Sequence, residues 1–174
     1  MTFLETHRFD RNGLNVRIGV TSLLSIDTTQ YGMLDNWIAS AVRLHRDQRI
    51  DAQTLERVRL IYTFGGLIAN TDRHFGNIAM FDRYDGRFTL APVYDMLPML
   101  FAPQSDQIIP RTFAPADPAA DTISVYLRAR ALAEQFWGRV SADGRVSMEF
   151  RAIAATCGDT LAALPRTGAY AYGG

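Results

Sequence analysis

The segment between Asp51 and Asp95 places the strongest constraint on the fold of this 174-residue chain. Asp51 can cap a helix in which apolar residues recur at helical spacing as far as Ile68. The polar stretch Asn70 to Asn77 follows, and Ile78 to Leu90 is typical of a β-hairpin with a five-residue loop. Because a hairpin reverses the chain, we expect Asp95 to lie beside the polar loop.

The sequence on either side predicts a mainly helical α+β domain with small hairpins. Near the start, Phe3 to Phe9 is predicted to be a strand that turns at Asp10 to Gly13 and returns along Asn15 to Ile18. Thr21 to Gln30 is expected to be an irregular connection, while apolar residues between Leu34 and Val42 recur at helical spacing.

The C-terminal half is predicted to contain a long irregular segment and two helices. Five prolines between Pro98 and Pro118 interrupt regular structure, and a connection of this length is usually functional or mobile. Helices are predicted at about Thr122 to Val140 and Ser147 to Ala163. The last residues, 169–174, are predicted to be a flexible tail.

All 18 basic residues of the chain are arginine, and they balance 18 acidic residues. The absence of lysine excludes any reaction that needs a lysine within these residues, such as Schiff-base chemistry or phosphate binding by a P-loop. Zero net charge and the lack of a basic run argue against nucleic acid and membrane surfaces as partners. A single cysteine and no apolar stretch of membrane-spanning length favour a cytoplasmic protein.

Asp72, Asn77 and Asp95 are the residues that best explain a chemical function. Phosphoryl transfer needs a carboxylate to accept the proton of the attacking hydroxyl, and oxygen ligands to hold magnesium against the phosphates. Kinases supply an aspartate, an asparagine five residues later and a second aspartate beyond a hairpin, which is the order found here. Both residue types are also common in turns and helix caps, so the spacing alone leaves a structural role open.

The residues around these three positions resemble the HipA family of toxin–antitoxin serine/threonine kinases. The loop Asn70 to Asn77 matches the family's Asn-x-Asp-x-His-x-x-Asn, and Leu90 to Asp95 matches its Leu-x-Pro-x-Tyr-Asp. Arg8 to Arg11 matches the Arg-Phe-Asp-Arg that follows the family's hinge. The resemblance covers Leu4 to Pro98 and implies a protein-kinase-like C-terminal lobe with small hairpins at the catalytic loop.

The resemblance also implies ATP and Mg²⁺ as cofactors and assigns roles to individual residues. Asp72 would be the catalytic base, and Asn77 and Asp95 would bind magnesium and, through it, the nucleotide. The hinge stretch His7 to Phe9 would meet the adenine through backbone groups, with Asp10 facing the ribose.

The match to the family is partial. Family members place a phosphate-holding loop and an essential lysine before the hinge, whereas only seven residues precede Arg8 here. We therefore expect a C-terminal catalytic lobe that is inactive without an N-terminal lobe. Residues 1–20 would form the hinge strand and hairpin, 21–168 the HipA-like kinase lobe, and 169–174 the tail.

Two other functions stay open on the sequence alone. A non-catalytic module could keep the fold and bind an antitoxin or regulator, which the missing lysine favours. A metal-dependent phosphoesterase could use Asp72, His74 and Asp95, although the simpler role for His74 is to fix the loop by hydrogen bonds. The expected partners are an unspecified protein substrate, a complementing N-terminal lobe and an antitoxin.

Overall fold

The computed structural model describes residues 8–12, 16–105 and 109–165. The chain divides into two compact units: unit 1 comprises Met1–Leu55 and His74–Tyr94, and unit 2 comprises Glu56–Arg73 and Asp95–Gly174. The polar loop Asn70 to Asn77 is therefore shared between the units. The domain boundaries expected after residues 20 and 168 stay predictions, and the expected tail lies outside the described residues.

A short hairpin occupies the start of unit 1. β1 (Arg11–Asn12) pairs antiparallel with β2 (Val16–Arg17). The strand predicted over Phe3 to Phe9 falls largely outside the described residues, and Arg8 and Phe9, which are described, do not belong to a strand. The returning strand is confirmed at β2, but its partner is Arg11–Asn12, two residues that were predicted to lie in the turn.

Unit 1 contains a three-stranded antiparallel sheet in the order β3–β4–β5. Its strands are β3 (Val20–Ser22), β4 (Ala79–Arg83) and β5 (Arg87–Leu90). The predicted hairpin is confirmed between β4 and β5. Its loop is shorter than predicted, because Arg83 pairs with Arg87 and leaves only Tyr84 to Gly86, with Gly86 at φ +79°.

A helix, α1 (Leu23–Gln30), stands where the sequence predicted an irregular connection. Ser22 caps it, because its hydroxyl accepts a hydrogen bond from Ser25 N–H at 3.2 Å. Leu23 and Ile26 are buried. Their burial stabilises a helix that contains threonines of low intrinsic propensity, which is why the prediction from the sequence was wrong.

A buried carboxylate fixes the connection between α1 and α2 (Trp37–Arg46). Asp27 is fully buried, and its Oδ1 accepts the backbone N–H groups of Met33 and Leu34 at 3.0 and 2.9 Å. Its Oδ2 accepts a charge-assisted hydrogen bond from Arg43 on α2 at 2.9 Å. Leu34 is held at φ +47°, so the helix predicted from Leu34 onward is present but begins at Trp37.

The clearest predicted helix is confirmed as α3 (Ala52–Leu67). The Asp51 carboxylate accepts Thr54 N–H at 2.7 Å, which is the N-cap contact that the sequence predicted. The helix begins in unit 1, and its residues from Glu56 onward belong to unit 2.

Unit 2 is helical, with a core built from the end of α3, α4 (Ile123–Ala142) and α5 (Met148–Ala163). Trp137 is fully buried, and its Nε1–H donates to Leu67 O at 3.1 Å. The two helices predicted for the C-terminal half are confirmed, and with them the mainly helical α+β fold. Among the described residues, no helix combines the length and apolar character needed to cross a bilayer.

Candidate active site

A left-handed residue turns the chain from α3 into the polar loop. Ala69 adopts φ +59° and donates its N–H to Gly66 O at 3.2 Å, while Asn70 N–H donates to Gly65 O at 2.8 Å. The two bonds form a Schellman motif, in which glycine usually occupies the left-handed position. An alanine costs about 1 kcal/mol there. The surrounding structure therefore stabilises a strained turn directly before the loop.

Asn70 connects the two segments of unit 2 that carry aspartates. Its side chain is buried, with 2% exposed, and its Oδ1 accepts Asp72 N–H at 2.8 Å. Its Nδ2 lies 3.2 Å from the sulfur of Met96, the residue that follows Asp95. One buried amide therefore contacts both the backbone of Asp72 and the side chain next to Asp95.

The side chain of Arg73 contacts the polar loop, although the sequence alone indicated no role for this residue. Its Nε donates to Asn70 O at 3.0 Å and its Nη1 donates to Tyr62 O at 2.8 Å. The signal that points to it is the Gly65-Gly66 pair, because a Cβ at Gly65 would lie 2.9 Å from Arg73 Cδ. Close packing against Arg73 therefore gives a physical reason for the two helical glycines.

The second half of the polar loop belongs to unit 1 and is held from α2. Trp37 is buried, and its Nε1–H donates to His74 O at 3.0 Å. The His74 ring accepts Gly76 N–H at Nδ1 over 2.9 Å, and Phe75–Asn77 form a 3₁₀ turn. His74 thus fixes the loop by a hydrogen bond, which is the simpler of the two roles considered for it.

Tyr94 holds the same half of the loop from the segment after β5. Its hydroxyl donates to Gly76 O at 2.6 Å, and its ring stacks on Phe9 with centroids 5.8 Å apart. Phe81 on β4 packs edge-on against Phe9 at 6.2 Å. The family motif contains Tyr94, but the sequence did not predict its contact with the loop, which depends on how unit 1 packs.

The hinge residues assigned to the nucleotide are described in part. His7 lies outside the described residues. The Phe9 ring is engaged with Tyr94, so an adenine contact would fall to its backbone groups, as the resemblance implies. Asp10 accepts hydrogen bonds from Arg8 at 2.8 and 2.6 Å, and this guanidinium holds the pKa of the Asp10 carboxyl below its usual range. The adenine and ribose contacts stay predictions.

Asp72, Asn77 and Asp95 differ in exposure and backbone geometry. Asp72 is half-buried, Asn77 is 8% exposed, and Asp95 is exposed with φ +53°. A left-handed aspartate is a sparsely populated geometry of a kind that clusters at functional sites. The convergence of the three side chains stays a prediction, because Asp72 and Asp95 belong to unit 2 and Asn77 to unit 1.

The predicted metal ligands are hard oxygen donors. A carboxylate from Asp95 and an amide oxygen from Asn77 suit magnesium, which keeps several of its waters. In the part of the chain that the structure describes, no group of three or more His, Cys, Asp or Glu side chains is placed to hold a metal ion. A surface cavity of about 360 Å³ in unit 1 is lined in part by Arg49, Arg83 and Arg87, and by none of the described site residues.

Comparison with known proteins points to the family that the motifs indicated. The family described as HipA-like C-terminal domain matches residues 1–164. The chain is 37% identical over 159 residues to Toxin YjjJ of Escherichia coli (strain K12), an alignment that covers 87% of this chain and 34% of that protein. The chain therefore spans about a third of the length of this curated relative.

Proposed function

This chain belongs to the family of HipA-like C-terminal domains, and from that premise we propose that it is the catalytic lobe of an ATP- and magnesium-dependent protein serine/threonine kinase. The buried Asn70 amide carries the proposal, since it contacts the backbone of Asp72 and the side chain beside Asp95. Phosphoryl transfer depends on positioning and electrostatics, so its groups must lie on loops that are held in place. A protein-kinase-like architecture and a cytoplasmic location belong to the proposal.

Asp72 is the proposed general base. A substrate hydroxyl would donate its proton to the Asp72 carboxylate as its oxygen bonds to the γ-phosphorus of ATP. The bond from that phosphorus to the β–γ bridging oxygen would break at the same time, and ADP would leave. The backbone of Asp72 is restrained by its N–H donation to Asn70, which limits the positions the carboxylate can occupy. Its half-buried environment leaves part of the side chain accessible to a substrate.

Asn77 and Asp95 are the proposed magnesium ligands. Bound magnesium neutralises charge on the transferring phosphates. Asp95 supplies an exposed carboxylate, and Asn77 supplies an amide oxygen from a turn that Trp37 and Tyr94 hold through its neighbouring carbonyls. The fixed turn at Asn77 and the strained backbone at Asp95 both favour a predefined ligand geometry.

A lysine for the α- and β-phosphates must come from outside these 174 residues, because they contain none. It would lie on an N-terminal lobe, either earlier on a longer polypeptide or on a separate chain. The E. coli relative is about three times as long as its aligned part, which is consistent with an N-terminal lobe on a longer polypeptide. That relative is named a toxin, which favours an antitoxin as a further partner of this chain.

The first expected result concerns complementation. The 174-residue chain alone should transfer little or no phosphate, and adding a lysine-bearing N-terminal lobe should produce transfer, because the lobe supplies the missing charge and wall of the nucleotide site. Transfer of radiolabel from ATP to protein measures both states. A lobe with its lysine replaced by methionine is the control. Robust transfer by the chain alone would contradict the proposed division of roles.

A second expected result concerns Asp95→Asn, which removes the charge but tolerates the left-handed backbone better than alanine would. A charge-assisted contact is worth about 1.5–3 kcal/mol, so affinity for ATP in magnesium should fall about 10- to 100-fold. Calorimetric titration of the completed kinase with ATP, with and without magnesium, measures this affinity. Asp82→Asn, at an exposed position of the hairpin, should leave affinity unchanged. Equal affinity of Asp95→Asn and the unmodified kinase would exclude Asp95 as a ligand.

A non-catalytic interaction module is the second candidate, and the absence of lysine favours it. It would keep the fold and bind an antitoxin or regulator without phosphate transfer. Failure of every complemented pair to transfer phosphate would support this candidate. The phosphoesterase alternative gains no support from the described residues, in which no cluster of three or more metal-binding side chains is found.

A further inference from the structure

The side chain of Arg73 packs against the last turns of α3. Its Nη1 donates to Tyr62 O at 2.8 Å, and its Nε donates to Asn70 O at 3.0 Å. The guanidinium carbon also lies 4.4 Å from the centroid of the Tyr62 ring. Two carbonyl oxygens and one aromatic face therefore hold a single cation in a defined position.

The Gly65-Gly66 pair makes room for this arrangement. A Cβ at Gly65 would lie 2.9 Å from Arg73 Cδ, and one at Gly66 would lie 3.2 Å from its Nη1. Interiors are close-packed, so an added Cβ at Gly65 would force the Arg73 side chain to shift, and one at Gly66 would crowd its Nη1. Glycine weakens a helix relative to alanine, and the close approach of Arg73 gives a physical reason for two of them here.

We propose that Arg73 is a positioning residue that sets the backbone of the loop on which Asp72 lies. Arg73 binds the Asn70 carbonyl, and the Asn70 side chain binds Asp72 N–H at 2.8 Å. Asp72 lies in the chain between these two residues, so both of its flanks are restrained. The catalytic consequence rests on the proposed role of Asp72 as the base. The hydrogen-bond network of Arg73, Asn70 and Asp72 does not depend on that role.

Hydrogen exchange in the 174-residue chain tests the network directly. Arg73→Met keeps most of the alkyl chain and removes the guanidinium, which should speed exchange of the Asp72 amide by about tenfold or more. Amides of α5 should exchange as before. Arg139→Met, at an exposed position of α4, is the matched control. An unchanged Asp72 amide in Arg73→Met, or an equal change in the control, would overturn the proposal.

A double-mutant cycle with Gly65→Ala separates positioning from helix stability. With Arg73 present, the added Cβ should displace the arginine and speed exchange of the Asp72 amide. In an Arg73→Ala background, Gly65→Ala should leave the exchange rate of the Asp72 amide unchanged or lower it, because alanine favours the helix. Gly138→Ala is the control, since a Cβ there meets nothing within 4 Å. Equal acceleration in both backgrounds would contradict the proposal.

The catalytic consequence is measured in the kinase completed by its lysine-bearing lobe. Arg73→Met should lower kcat about 10- to 100-fold with KM for ATP near its original value, because it disturbs transfer geometry and not nucleotide contacts. Asp72→Asn is the reference. If Asp72→Asn has no effect, the proposed function fails while hydrogen exchange still decides the role of Arg73. If Asp72→Asn is inactive and Arg73→Met keeps full kcat, the positioning role is wrong.

Discussion

Asp72→Asn should lower the rate of phosphate transfer by the completed kinase by about 10²- to 10⁴-fold. The amide has the shape of the carboxylate but cannot accept the proton of the substrate hydroxyl at neutral pH. The backbone N–H that donates to Asn70 Oδ1 is present in both proteins, so the loop should keep its conformation. The rate is measured with radiolabelled ATP and an acceptor protein, alongside thermal unfolding of each protein.

Two comparisons make this result specific. Asp82→Asn, a substitution of the same kind at an exposed position of β4, should keep the original rate. Affinity for ATP should change little in Asp72→Asn, because the metal is assigned to Asn77 and Asp95. A completed kinase that is indifferent to Asp72→Asn would remove the kinase proposal. A lowered unfolding temperature together with the lost rate would instead indicate a structural role for Asp72.

The parts of the fold that the sequence predicted are those with a strong local signal. Apolar periodicity and the Asp51 cap predicted α3, and two apolar strands around a Gly-containing loop predicted the β4–β5 hairpin. α1 was missed because it is short and its stability comes from burial of Leu23 and Ile26. Burial of this kind depends on the rest of unit 1 and leaves little trace in eight residues.

The candidate site was predicted as a set of residue types in order, together with the loop-fixing hydrogen bond of His74, whereas the contacts of Arg73 and Tyr94 were not predicted. Chain spacing and the family motif select Asp72, Asn77 and Asp95 without reference to any contact. Arg73 and Tyr94 act through hydrogen bonds to backbone carbonyls distant in sequence, Tyr62 O and Gly76 O. Any residue offers the same carbonyl, so the acceptor carries no signal in the sequence.

Among the single substitutions for which a result is expected, Asp27→Asn should lower the free energy of unfolding most. Asp27 is fully buried and accepts hydrogen bonds from two backbone N–H groups and from Arg43. An asparagine at this position places an NH₂ group, which is itself a donor, against these donors. The ion pair of Arg43 with Asp27 is lost, and its ion pair with Asp35 remains. Removing one partner of a buried ion pair costs about 3–5 kcal/mol, and the remaining pair should keep the loss near 3 kcal/mol. Urea denaturation at neutral pH measures it.

The same substitution should reduce acid sensitivity. Burial favours a higher pKa for Asp27, but the hydrogen bonds that its carboxylate accepts, among them those from Leu34 N–H, Arg43 and Met33 N–H, outweigh burial and hold this pKa below its usual value. A lowered folded-state pKa gives a contribution that is complete above the unfolded value of about 3.9 and is lost as pH falls below it. The free energy of unfolding should therefore fall more steeply below about pH 4 in the unmodified protein than in Asp27→Asn.

Asp35→Asn is the matched control, because Asp35 binds the same arginine from a position where its side chain is 38% exposed. Arg43 holds the pKa of the Asp35 carboxyl well below its usual range, so this residue also loses its contribution in acid. Exposed ion pairs contribute about 1 kcal/mol or less, so Asp35→Asn should cost far less than Asp27→Asn at neutral pH. Equal losses from the two substitutions would show that the buried position of Asp27 adds nothing to the ion pair.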